Sequence, residues 1–104
     1  MKFDHIALKS SDIDASIEWY KTCLSCTVDY VDSTWAMLDC NGTKIALVKE
    51  GTHPPHLAFQ VMSEVKFPCD ESLIKKHRDG SSYYYGTDPD GNIIEWVAYP
   101  EKQE

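Results

Sequence analysis

Four short runs constrain the fold more than any other feature: Phe3-Asp4-His5-Ile6-Ala7-Leu8, Lys44-Ile45-Ala46-Leu47-Val48, His56-Leu57-Ala58-Phe59 and Ile93-Ile94-Glu95-Trp96-Val97. Each has the length and apolar content of a strand, and three of them carry one good metal ligand, at His5, His56 and Glu95. Side chains alternate across a strand, so Ile6 and Leu8 face away from His5, Leu57 and Phe59 away from His56, and Ile94 and Trp96 away from Glu95. A polar residue flanked by opposite-facing apolar ones implies a sheet with one face on a core and the other lining a cavity. If the three converge there, two neutral imidazoles and one carboxylate form a facial triad with open coordination positions.

The chain has 104 residues, the length of a single domain with one core. A deep cavity would consume much of that core. Its formal charge of −7, with basic residues scattered apart from Lys75-Lys76-His77-Arg78, argues against nucleic acid as a partner, because tracking phosphates needs a basic stripe. Met1-Lys2 leads directly into the first strand pattern, and no apolar run is long enough for a signal peptide or a membrane span, so a cytoplasmic protein is expected. In that setting Cys23, Cys26, Cys40 and Cys69 are expected as free thiols rather than a disulfide framework. Cys23-x-x-Cys26 falls at an expected helix end without a second such pair, and reads as structural.

Taken in order, residues 2 to 9 form a strand pattern ended by Ser10-Ser11-Asp12. Ser11 followed by Asp14 resembles a capping box, and Ile13, Ile17, Tyr20 and Leu24 then recur at helical spacing, predicting a helix over about 12 to 24. Residues 27 to 33 and 34 to 40 read as two strands with a weakly marked boundary. Asn41-Gly42 is a strong hairpin signal, with Thr43 to Val48 as the return strand. After the connector ending in Pro54-Pro55, strands are expected at 56 to 61, 72 to 77, 83 to 87 and 92 to 99, with room for only a short helical turn between Met62 and Pro68. Asp88-Pro89-Asp90-Gly91 makes the last turn. The fold class expected is therefore α+β: two tandem βαβββ modules, about 1–50 and 53–100, the second helix short or absent, forming one cup-shaped mixed sheet. His5 and His56 begin the two modules, while Ala46 and Glu95 end them.

These stretches, together with Ser16-Ile17-Glu18-Trp19-Tyr20 and the run Tyr83-Tyr84-Tyr85-Gly86-Thr87-Asp88-Pro89-Asp90-Gly91-Asn92-Ile93-Ile94-Glu95, make the chain resemble the vicinal oxygen chelate superfamily of glyoxalases, bleomycin-resistance proteins and extradiol dioxygenases. The resemblance spans nearly the whole chain, and the Asp-Pro-Asp-Gly-Asn turn followed by a strand glutamate is its most specific part. It implies a divalent metal (Fe, Mn, Ni, Co or Zn) held by His5, His56 and Glu95, and a small oxygen-rich substrate chelating that metal. The fourth ligand position of the family falls on Ala46, which cannot bind a metal. That departure counts against a glyoxalase I or epimerase and favours subgroups with a His-His-Glu site, such as the extradiol dioxygenases and the fosfomycin-resistance enzymes, although few lysines or arginines are expected to line the cup and clamp a phosphonate.

Each residue also has a plainer reading. His5 and His56 could be hydrogen-bonded strand histidines, but a carboxylate inside Ile-Ile-Glu-Trp-Val demands a buried partner. His53 reads as a loop residue and His77 as a solvated turn residue. Tyr83 and Tyr85 share one strand face, and either could donate a proton to a bound substrate as a catalytic residue; Lys9, Lys44 and Gln60 are weaker cavity candidates. A second helix too short to cover Leu57, Phe59, Ile94 and Trp96 would leave apolar surface in water, which predicts a homodimer. The alternative function is a metal-free small-molecule binding protein of the bleomycin-resistance type.

Overall fold

The computed structural model describes residues 1–62 and 67–100. In order they form β1 (Lys2–Ser10), α1 (Ile13–Leu24), β2 (Thr27–Val31), β3 (Trp35–Cys40), β4 (Thr43–Lys49), β5 (His56–Gln60), a 3-10 turn (Glu71–Leu73), β6 (Lys75–Lys76), β7 (Ser82–Thr87) and β8 (Ile93–Ala98). The fold is α+β, with mixed parallel and antiparallel strand pairing. Contacts group the chain into two compact units, His5–His56 and a second made of Met1–Asp4 with the residues from Leu57 onward.

In the first unit the strands lie in the order β2-β3-β4-β1. β4 runs parallel to β1 and antiparallel to β3, with Ile6 opposite Ile45 and Leu8 opposite Leu47. Those residues face α1, whose Ile13 and Ile17 are buried against Ala36, Leu38 and Leu47. The helix starts one residue later than a Ser11 cap would set it. Asp12 is the N-cap, its Oδ1 accepting from the Ala15 N–H at 3.1 Å, because the carboxylate reaches an otherwise unpaired helix donor. The hairpin between β3 and β4 turns at Asn41 and Gly42, both at positive φ (57° and 94°), as a tight primed turn requires.

The weakly marked boundary between β2 and β3 is made by Asp32. Its Oδ1 accepts from the Thr34 and Trp35 N–H groups and its Oδ2 from the Tyr30 hydroxyl at 2.6 Å. The Tyr30 hydroxyl first, and the Thr34 N–H next, hold this carboxyl well below the usual carboxylate range. The expectation of free thiols fails for two of the four cysteines: Cys26 and Cys40 form a disulfide, with a Cα–Cα separation of 4.4 Å. The antiparallel register pairs Thr27 with Asp39, which brings the flanking Cys26 and Cys40 face to face. Cys23 remains an exposed thiol, so the Cys23-x-x-Cys26 spacing joins no pair.

In the second unit the order is β5-β8-β7-β6, with β5 and β8 parallel and the other pairs antiparallel. The strand expected over 72 to 77 is mostly absent. Leu73 and Ile74 instead donate to the carbonyls of Asp70 and Glu71, closing a 3-10 turn, and only Lys75 and Lys76 pair with β7. That turn places Ile74 and Cys69 against Val61, Phe67 and Ala98, where Tyr84 and Trp96 also pack. This part of the face expected to be bare is thus covered by its own chain, whereas Leu57 stays 38 % exposed. Of the short helical turn expected between Met62 and Pro68, residues 63–66 lie outside the described ones. Gly86 lets the Trp96 ring approach β7 closely, since a Cβ there would meet that ring at 2.9 Å. Phe3 packs edge-on against Phe59, and the Tyr99 hydroxyl donates to Asp4, which ties the first four residues to this unit. Asp88 organises the final turn, its Oδ1 accepting from the N–H groups of Asp90 and Asn92 while Gly91 takes φ 86°.

Candidate functional site

In the first unit, the sheet face opposite α1 carries His5, Ala7, Ala46 and Val48. Ala7 and Ala46 are register partners and both are buried, with Trp35 and Met37 packed against them. Tyr30 leans on Trp35 at a ring separation of 4.8 Å. Alternation along β1 puts His5 on the Ala7 side, so Ala46 shares the face of His5. The surroundings of Ala46 are apolar.

His5 and His56 come together in this unit, their rings edge to face at a centroid distance of 5.5 Å. His56 is 8 % exposed, and its Nδ1 lies 2.6 Å from the Pro54 carbonyl oxygen. A carbonyl can only accept, so Nδ1 carries the proton and Nε2 the lone pair of the neutral ring. A backbone carbonyl fixing one ring nitrogen is how metal-binding histidines are commonly oriented. The two prolines therefore do more than end a strand: they hold the acceptor that selects the tautomer.

In the second unit, Glu95 is 2 % exposed on β8, opposite Ala58 of β5 and Tyr85 of β7. The buried carboxylate has a hydrogen-bond partner that the sequence did not reveal. His77 Nε2 lies 2.8 Å from Glu95 Oε2, and its ring stacks on Tyr83 at 3.7 Å with an interplanar angle of 12°. His77 is thus a functional candidate rather than a solvated turn residue. Its residue type was the only signal available, because the reach from the end of β6 across β7 to β8 exists only once the sheet has formed.

Tyr83 and Tyr85 share the Glu95 face and meet edge to face at 5.4 Å, while Tyr84 turns to the core beside Trp96. Burial first, then the negative charge of Glu95, pushes the Tyr85 phenol well above its ordinary range, so it stays protonated and able to donate. Of the weaker candidates, Lys9 pairs with Glu50 and Lys44 with Asp29 and Asp39, so both lysines serve surface ion pairs. Gln60 is half-buried opposite Val97 on the Glu95 face, and His53 lies exposed in the connector. A cleft at the start of α1, lined by Asp12, Asp14, Asp32 and Lys49 among others, contains none of the candidate ligands. No helix among the described residues is long and apolar enough to cross a membrane.

Comparison with known structures gives the same fold repeatedly. A methylmalonyl-CoA epimerase from Mycobacterium tuberculosis superposes with a TM-score of 0.77 at 18 % identity, covering 96 % of this chain and 89 % of that one. A hypothetical protein from Bacillus halodurans C-125 gives 0.76 at 17 % identity over 99 % and 97 % of the two chains. The Mn(II)-bound glyoxalase from Novosphingobium aromaticivorans gives 0.67 at 22 % identity, covering 96 % of this chain but 38 % of that longer one. At these identities the likeness is one of fold. Sequence carries the assignment further: residues 2–70 match the family model of this fold, and the chain belongs to the Glyoxalase/Bleomycin resistance protein/Dioxygenase superfamily.

Proposed function

We propose that the protein is a divalent-metal-dependent enzyme acting on a small oxygen-rich molecule, with His5, His56 and Glu95 as the metal ligands. The observation that carries this reading is the state of His56: buried, beside His5, and held by the Pro54 carbonyl in the tautomer that offers Nε2. Two imidazole nitrogens and a carboxylate oxygen are a donor set suited to Fe, Mn, Ni, Co or Zn. When bound, such an ion supplies Lewis-acid polarisation of substrate oxygens.

The chain's own residues would do the rest. With Ala46 at the fourth position, the candidate ligands among the described residues are His5, His56 and Glu95, which would leave room for two neighbouring substrate oxygens. Tyr85, kept protonated beside Glu95, would donate a hydrogen bond or a proton to the substrate, with Tyr83 packed behind it. Trp35 and Met37 would offer apolar contact to the substrate's carbon skeleton. A three-ligand site of this kind favours the dioxygenase type over an epimerase.

The second reading is a metal-free binding protein of the bleomycin-resistance type. Its supporting observation is the half-buried Trp35, flanked by Tyr30 and Met37, on the same sheet face as His5. Metal analysis of anaerobically purified protein, reconstituted in turn with each of the five ions, separates the two. The enzyme reading expects one ion per chain in the wild type and little or none in His56→Ala and Glu95→Ala. A wild type that takes up none of the five ions would overturn it and leave the binding-protein reading. With metal bound, catechols come first in activity assays, then 2-oxoaldehyde–glutathione adducts, methylmalonyl-CoA and fosfomycin. A homodimer, cytoplasmic in location, belongs to the same proposal.

A further inference from the structure

We propose that His77 is a positioning residue for the Glu95 carboxylate, holding it in one orientation for metal binding; this rests on the metal reading above. Three observations inside the second unit support the assignment. Glu95 is almost fully buried, so its carboxylate needs fixed donors in place of water. His77 Nε2 donates to Oε2 at 2.8 Å, a bond strengthened by the negative charge on its acceptor. The His77 ring is itself held on two sides, by the near-parallel Tyr83 ring and by its own backbone, where the His77 N–H donates to the Ser81 carbonyl and the His77 carbonyl accepts from Gly80.

That arrangement is more than a buried charge finding a partner. Glu95 has χ torsions to lose on binding an ion, and a carboxylate already fixed by a rigid donor loses fewer of them. The rigidity is built from short-range geometry: the tight turn from His77 to Ser81, with Gly80 at φ 88°, sets where the ring leaves the backbone. Asp79 completes that turn, its Oδ1 accepting from the Ser81 N–H and hydroxyl. The segment Lys75 to Ser82 thus delivers one imidazole across β7 to β8, which explains why so short a strand as β6 is kept in register there.

Two substitutions separate the hydrogen bond from the stacking. His77→Phe keeps a flat ring for Tyr83 but removes the donor, whereas His77→Gln keeps an N–H donor at similar reach and removes the ring. The readouts are Co(II) affinity, followed by its visible absorption bands, and the thermal midpoint of the metal-free protein. His77→Phe is expected to weaken Co(II) binding about 10- to 100-fold and to alter the absorption bands. His77→Gln is expected to recover most of that affinity. If His77→Phe binds Co(II) as tightly as the wild type while Glu95→Ala does not bind, the role of His77 is overturned and the metal site stands. If both variants lose affinity equally, packing rather than the hydrogen bond is responsible, and the proposal falls. A wild type that fails to bind Co(II) or any of the other four ions overturns the metal reading, and this inference with it.

Discussion

Ala46 is the residue that the proposed metal site sets at its fourth, non-ligating position. It is 3 % exposed, packed among Ala7, Val48, Trp35 and Met37, on the side of the sheet that carries His5. Ala46→Glu would bury a carboxylate among apolar groups. The metal-free variant is therefore expected to lose about 2–4 kcal/mol of stability in chemical denaturation. Added divalent ion should restore part of that loss and tighten metal binding relative to wild type, because a charge facing the ion compensates the buried carboxylate. Full loss of stability with no recovery on adding metal would mean that the ion sits elsewhere. The shared face of Tyr83 and Tyr85 was legible from strand alternation alone. The partner of Glu95 was not. A buried strand glutamate demands a donor, but nothing in the local sequence says that the donor is His77, 18 residues earlier in the chain.

Among the elements, the helix, the hairpin at Asn41-Gly42 and the turn at Asp88 to Gly91 follow from short-range chemistry and were readable from it. The segment over 72 to 77, expected as a strand, is one only at Lys75 and Lys76, because the 3-10 turn at Glu71–Leu73 packs Ile74 into the second unit's core. The cysteines were misread for a related reason. An expectation about redox compartment says nothing about the register that sets Cys26 beside Cys40. The pair clips the start of β2 to the end of β3, around a loop of 14 residues in sequence separation. Reduction is expected to lower stability by about 3 kcal/mol, measured by denaturation with and without dithiothreitol. Thiol titration of the unfolded, unreduced protein should find two reactive groups, Cys23 and Cys69. Four reactive thiols in freshly purified protein, with no effect of reductant on stability, would remove the clip.

For the whole molecule, the proposed homodimer is the property that the fold leaves to solution measurement. β2 is the outer strand of its sheet, exposed along its length, and Val28, Tyr30 and Val31 lie on it; Trp19 and Leu24 are exposed on α1. An unpaired edge with apolar side chains invites association. Light scattering at micromolar concentration is expected to give a mass near twice the 11.9 kDa of one chain, and a monodisperse monomer would count against it. The sequence by itself determined the α+β class and the doubled strand order, and it named His5, His56 and Glu95 as candidate ligands. Those depend on periodicity, turn chemistry and residue type, all of which act over a few neighbouring residues. Only the tertiary structure decided that Pro54 selects the His56 tautomer, that His77 holds Glu95, that Cys26 meets Cys40 and that Ile74 covers part of the second sheet. Each of these depends on a register, a turn geometry or a packing choice between competing conformations, and such choices are settled by the free energy of the assembled chain rather than by any local stretch of it.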